Sequence, residues 1–123
     1  MKVLLVEDDR PLSDVIQRNL VAHGHTVEVT ETAEDAILRM AEDWPEALVL
    51  DVNLPDLSAW EVLRRLGEES RRHLRVIVMS AFPISKKRIE EFQPHSALQK
   101  PFPISALLHA VEDSQTEMAW AEN

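Results

Sequence analysis

The sequence predicts an α/β fold in which a parallel sheet is covered by helices on both faces. Three observations carry that expectation. Short apolar runs recur at roughly even spacing: Val3-Leu4-Leu5-Val6, Ala47-Leu48-Val49-Leu50, Val76-Ile77-Val78-Met79 and the weaker Ala97-Leu98. The runs are continuous rather than alternating, which suits strands buried on both faces. Segments of helical apolar spacing lie between them, so that strand and helix alternate five times and right-handed crossovers join the strands.

Taken in order, the first run is a buried strand ending at Glu7-Asp8-Asp9. Asp9 reads as the cap of a first helix, with Pro11 in its opening turn and Leu12, Val15, Ile16 and Leu20 as its apolar stripe. Gly24 is a natural stop. Thr26-Val27-Glu28-Val29-Thr30 alternates, as an edge strand does. Thr32 caps a second helix carrying Ala33, Ala36, Ile37 and Met40, which ends before Pro45. The third strand leads to Ser58-Ala59-Trp60-Glu61, a capping box for a third helix with Val62, Leu63 and Leu66 inward. Ser85 caps a short fourth helix reaching about Phe92. Pro103 opens a fifth, with Ile104, Leu107, Leu108, Val111 and Met118 at helical spacing. The core is expected over about residues 2–111, with residues 115–123 as a tail.

A length of 123 residues suits one domain. Apolar residues make up 45% and charged residues 28%, an ordinary globular balance. No run approaches the roughly 18 apolar residues that span a bilayer. The opening apolar run meets three acids too soon for a signal peptide. Cys is absent, which excludes disulfides, thiolate metal sites and Cys nucleophiles. The cytoplasm is the expected compartment. The net charge of −9, from 22 acids against 13 Lys plus Arg, argues against binding to nucleic acid or an anionic membrane.

In open α/β sheets, ligands bind beyond the carboxyl ends of the strands. Those ends carry Glu7, Asp8 and Asp9 after the first strand, Asp51 and Asn53 after the third, Ser80 after the fourth and Lys100 after the last. Singly, each is an ordinary turn, cap or surface residue; their joint arrival at one edge is not. Clustered carboxylates repel unless a cation neutralises them. An oxygen-only ligand set favours a hard ion such as Mg²⁺, which takes one or two protein carboxylates. A carboxylate beside Mg²⁺ and Lys can act as a nucleophile toward phosphorus, with the cations stabilising the equatorial oxygens.

These residues resemble the receiver domain of two-component response regulators. The matching pieces are Val3–Asp9, Leu50-Asp-Val-Asn-Leu-Pro-Asp56, Val78-Met-Ser-Ala81 and Lys100-Pro-Phe102, in order and at the right strand ends. The resemblance implies a flavodoxin-like, doubly wound five-stranded parallel sheet of order 2-1-3-4-5 with five flanking helices. It implies that Asp51 is the phosphoacceptor. It further implies that Asp8 ligates Mg²⁺ directly, Glu7 through water, and Asn53 through its backbone carbonyl. Ser80 would follow the phosphoryl group and Lys100 would pair with it, before a cis Lys100–Pro101 bond. The donor would be a phosphohistidine on a histidine kinase or phosphotransfer protein. Output would pass through the face formed by the fourth helix, fifth strand and fifth helix, a face on which relatives also dimerise; the basic cluster Lys86-Lys87-Arg88 lies there.

The sequence also departs from its relatives. Ala97 stands where most carry a switching aromatic, Pro94-His95-Ser96 replaces the usual Gly-Ala pair, and Ala59 replaces a Gly. Phe82, two residues past Ser80, borders the expected site and either shields the phosphoryl group from water, packs under its loop or faces a partner. Two other functions compete. One is a pseudo-receiver, a protein-interaction module without phosphorylation, favoured by Ala97. The other is an aspartate-nucleophile phosphohydrolase, disfavoured because Asn53 sits where its second acid is needed. The five histidines lack metal-ligand spacing and read as surface residues. Trp44 and Trp60 read as packing residues, Trp120 as part of the tail, and Arg64-Arg65 and Arg71-Arg72 as solvated.

Overall fold

The computed structural model describes residues 1–112. Five parallel strands form one sheet of order β2-β1-β3-β4-β5: β1 (Lys2–Val6), β2 (Thr26–Thr30), β3 (Ala47–Asp51), β4 (Arg75–Ser80) and β5 (Ser96–Gln99). The helices are α1 (Arg10–Ala22), α2 (Ala33–Glu42), α3 (Ala59–Leu66), α4 (Glu68–Arg71), α5 (Lys86–Phe92) and α6 (Ile104–Glu112). The fold class and strand order are those expected. Met118 and Trp120 lie outside the described residues.

The continuous apolar runs are strands covered on both sides. Leu4, Leu48 and Val76 face one core with Ala36 and Met40 of α2, Leu63 of α3 and Phe92 of α5. Val3, Val49 and Ile77 face the other, with Ile16 and Leu20 of α1 and Leu107 of α6. Every residue of β3, the central strand, is buried. The alternating segment is the edge strand β2, paired with β1 from Lys2↔Thr26 to Val6↔Thr30.

The caps follow the sequence. Leu12, Asp35, Glu61 and Arg88 donate their backbone N–H groups to the side chains of Asp9, Thr32, Ser58 and Ser85. The box at α3 is half formed, because Glu61 turns outward to Arg64 and Arg65 instead of returning to Ser58.

Five expectations need correction. The α4 turn was not expected; it sits in a polar stretch too short to show periodicity. His25 is not a surface residue: its side chain is 8% exposed and Nε2 lies 2.8 Å from Glu112 Oε2. Trp44 is exposed at the end of α2 rather than packed. Arg71 and Arg64 are not simply solvated. Arg71 donates to the Leu63 carbonyl, and both guanidiniums lie over Phe92, at 5.4 and 5.5 Å from its centroid. Phe82 does not pack under its loop, being 68% exposed.

Candidate functional site

The parallel sheet delivers four strand ends to one edge. Glu7 and Asp8 leave β1, Asp51 closes β3, Ser80 closes β4 and Lys100 follows β5. Glu7 is held in the sheet frame by its N–H bond to the Thr30 carbonyl (3.0 Å). Its side chain turns inward and is 1% exposed. Asp51 is also buried, and Asp8 is exposed. Ligand oxygens of Glu7, Asp8 and Asp51 lie within 4.8 Å of one another, the one such group among the described residues.

Lys100 crosses this cluster. Its Nζ donates to Glu7 Oε1 at 2.6 Å and lies 3.3 Å from Asp51 Oδ2. The Lys100 N–H bonds the Ser80 carbonyl (2.7 Å), and the Lys100–Pro101 bond is cis. Burial pushes the Glu7 carboxyl up to about 7. Lys100 opposes that rise, and Asp51 adds to it. Burial works against the Lys100 ammonium, but Glu7 and Asp51 outweigh it and hold its pKa above the ordinary value.

The other oxygens are positioned by backbone. Asp51 Oδ1 accepts from Asn53 N–H at 3.3 Å. The loop after β3 is closed by an antiparallel bridge between Asn53 and Ser58 and by the Ala59 N–H bond to the Val52 carbonyl (2.9 Å). The Asn53 side chain is exposed. Ser80 Oγ is buried and accepts from Phe82 N–H (3.1 Å), which leaves its own O–H proton free to be donated. The Phe82 side chain is largely exposed.

One residue of this region escaped the sequence reading. Asp56, at the tip of the loop after β3, accepts from the N–H groups of Ala33 and Glu34, both at 2.9 Å. Desolvation pushes its carboxyl up, but the backbone N–H bonds outweigh that and hold it below the ordinary range. The partner residues are 22 and 23 positions away, so no local pattern reveals the contact.

The donor set suits a hard divalent cation. It is all oxygen, and it contains buried carboxylates whose mutual repulsion a single ammonium offsets only in part. A cavity of about 520 Å³ lined by Arg71, Phe92 and His95 lies at the opposite end of the strands and shares nothing with this cluster.

The sequence matches the family described as response regulator receiver domain over residues 3–112. Response regulator MprA of Mycobacterium ulcerans is 34% identical over 110 residues, covering 88% of this chain and 47% of its own. MprA of Mycobacterium tuberculosis is 33% identical over 113 residues, with the same coverage. The chain thus spans about half the length of the curated relatives it matches. Among solved structures, a BeF3-activated DrrB receiver domain is similar at a TM-score of 0.77 and 26% identity, covering 99% of this chain and 97% of that one. A response regulator receiver domain protein from Methanospirillum hungatei shares the fold at a TM-score of 0.83 and 20% identity, covering 99% and 98%.

Proposed function

This chain belongs to the response regulator receiver domain family of two-component signalling, and on that premise we propose that it accepts a phosphoryl group on Asp51. The donor is a phosphohistidine on a sensor histidine kinase or phosphotransfer protein. The observation that carries this reading is the burial of Asp51 within reach of Lys100 and of two further carboxylates.

One carboxylate oxygen of Asp51 attacks the phosphorus of a phosphohistidine that is protonated on its other ring nitrogen; a P–O bond forms as the P–N bond breaks, the bonding pair returns to the ring, and neutral imidazole leaves. A bound Mg²⁺, which Asp8, Asp51, the Asn53 carbonyl and, through water, Glu7 would hold, supplies positive charge against the phosphoryl oxygens. Lys100 exchanges part of its contact with Glu7 and Asp51 for a phosphoryl oxygen. Ser80 donates its free hydroxyl proton to another. The product adds nearly two negative charges and three acceptor oxygens beneath the loop that leads into α5. Drawing Ser80 inward shifts the α5–β5–α6 face between two states. We assign to that face the docking of a second copy, with Lys86 and Lys87 on its rim. The domain is a signalling module of the cytoplasm that binds neither nucleic acid nor membrane itself. Among the described residues, no helix is long and apolar enough to cross a membrane.

The second reading, an interaction module without phosphorylation, is favoured by Ala97 alone. Incubation with Mg²⁺ and acetyl phosphate followed by intact-mass measurement separates the two. The expected result is one phosphate adduct that decays slowly and is absent from Asp51→Asn. No adduct in the wild type supports the interaction module, and repeated turnover of a phosphate ester supports a phosphohydrolase.

A further inference from the structure

The loop after β3 and the loop after β1 carry the two halves of the acid cluster. Both are tied to a third segment, the β2–α2 turn at residues 30–34. On one side, Glu7 N–H donates to the Thr30 carbonyl at 3.0 Å. On the other, the Ala33 and Glu34 N–H groups donate to the two carboxylate oxygens of Asp56, each at 2.9 Å.

The first four N–H groups of a helix have no partner within it. In α2 the labour is divided. Asp35 N–H goes to Thr32 Oγ1 and Ala36 N–H to the Thr32 carbonyl, both at 3.1 Å, so Thr32 caps its own helix. Ala33 and Glu34 are left for Asp56, which brings a full negative charge to the positive end of the helix. The base of the Asp56 loop is closed by the Asn53–Ser58 bridge, and its tip is seated by Leu54, which is 8% exposed. A loop braced at both ends transmits position.

We propose that Asp56 is a positioning residue for the phosphoacceptor site: by clamping the loop after β3 to the β2–α2 turn, it fixes the separation between the Glu7-Asp8 pair and the Asp51-Asn53 segment. The inference rests on the receiver-site reading above and deepens it, because it names a residue outside the acid cluster that sets the cluster's spacing. A cap with only local effect would stabilise α2 and leave the cluster unmoved.

The test compares Asp56→Ala, Asp56→Asn and Thr32→Ala in the full chain. Titration calorimetry measures Mg²⁺ binding, and amide exchange in metal-free protein measures protection at Glu7, Asn53, Ala33 and Glu34. Both Ala variants lower the melting temperature. Asp56→Ala weakens Mg²⁺ binding by about tenfold, the usual scale for loss of a residue that orients metal ligands. It also speeds exchange at Asn53 and Glu7. Thr32→Ala leaves both within twofold of wild type, and Asp56→Asn, which keeps one accepting oxygen, falls between. Mg²⁺ binding by Asp56→Ala at the wild-type level, with exchange at Ala33 and Glu34 already raised, overturns the proposal. If the wild type binds no Mg²⁺, the receiver-site reading fails, and the clamp is then decided by the metal-free exchange at Glu7 and Asn53. If Asp56→Ala does not fold, Asp56→Asn is read in its place against the same two criteria.

Discussion

Replacing Glu7 by Gln removes the most perturbed acid in the cluster and should make the protein's stability nearly independent of pH between 5 and 8. In the native protein this carboxyl titrates at about 7, against 4.5 without the fold's influence. Between those values the folded chain holds a proton that the unfolded chain releases. The folded state therefore binds more protons, and stability falls as pH rises. At about 1.4 kcal/mol per pH unit, the gap corresponds to about 3 kcal/mol lost by the time pH exceeds 7. That is a large part of the 5–15 kcal/mol typical of a whole domain. Other shifted groups act elsewhere. Asp56 and Glu112 titrate below 3.8 and 4.5, so the stability they contribute is lost only as pH falls through more acidic values. Lys100 titrates above 10.5, and its contribution is lost only as pH rises through that higher value. Urea unfolding in EDTA at pH 5, 6, 7 and 8 measures both proteins. The stability of Glu7→Gln relative to wild type should rise by about 2–3 kcal/mol across that range, the rest of the shift falling below pH 5. Its absolute offset also contains the lost Glu7–Lys100 ion pair, so the pH trend is the measure. A difference that stays constant from pH 5 to 8 refutes the reasoning.

Four further outcomes are expected. Millimolar Mg²⁺ should raise the melting temperature of the wild type by several degrees, and Asp8→Asn should lose most of that gain; an unchanged wild-type transition would count against the cation site. Phe82→Ala should shed phosphate faster than wild type in a decay assay on labelled protein, because Phe82 follows Ser80 by two residues, its N–H bonds the Ser80 hydroxyl and its side chain is exposed; equal decay rates remove the shielding role. Phe92→Ala should destabilise by about 3–5 kcal/mol in urea unfolding, since the ring is buried, stacks on Trp60 at 5.5 Å and supports two guanidiniums; a loss below about 1 kcal/mol would show that the site collapses freely. Gln93→Gly should stabilise by about 0.5–1 kcal/mol, because Gln93 ends α5 in the left-handed region at φ 48°; a loss would mean that its side chain contributes more than its backbone costs.

The parallel strands and the delivery of acids, hydroxyl and ammonium to one edge were legible because both follow from short-range pattern; the strand order came from the family resemblance. A continuous run such as Ala47–Leu50 suits a strand shielded on both faces, and β3 is buried throughout. Once the sheet is parallel, every strand ends on the same side, so Glu7, Asp51, Ser80 and Lys100 must arrive together whatever the crossovers look like. Caps were legible for the same reason: Asp9, Thr32, Ser58 and Ser85 each act on an N–H three residues ahead. The exception is instructive. Glu61 carries the capping-box pattern but has Arg64 and Arg65 one helical turn away. A charge-assisted pair in solvent then competes with the return bond to the backbone.

What the sequence hides is contact between elements that share no period. His25 is polar and sits next to an exposed Gly24, yet its ring is buried because α6 brings Glu112 over it, 87 residues later. Arg71 reads as a surface residue until α5 supplies Phe92 beneath its guanidinium. Asp56 belongs to the same class and has the greatest consequence. Its loop differs little in composition from any turn, and its role exists only because β2 and β3 flank β1 and bring the α2 terminus to the loop tip. The side chains that perform the chemistry are fixed by strand ends, which pattern reveals. The distances between them are fixed by ties across the sheet, which only the assembled fold reveals. Substitutions that spare Glu7, Asp8, Asp51, Ser80 and Lys100 can therefore still alter the site, and Asp56, whose side chain ties the loop after β3 to the β2–α2 turn, is where they should do so most.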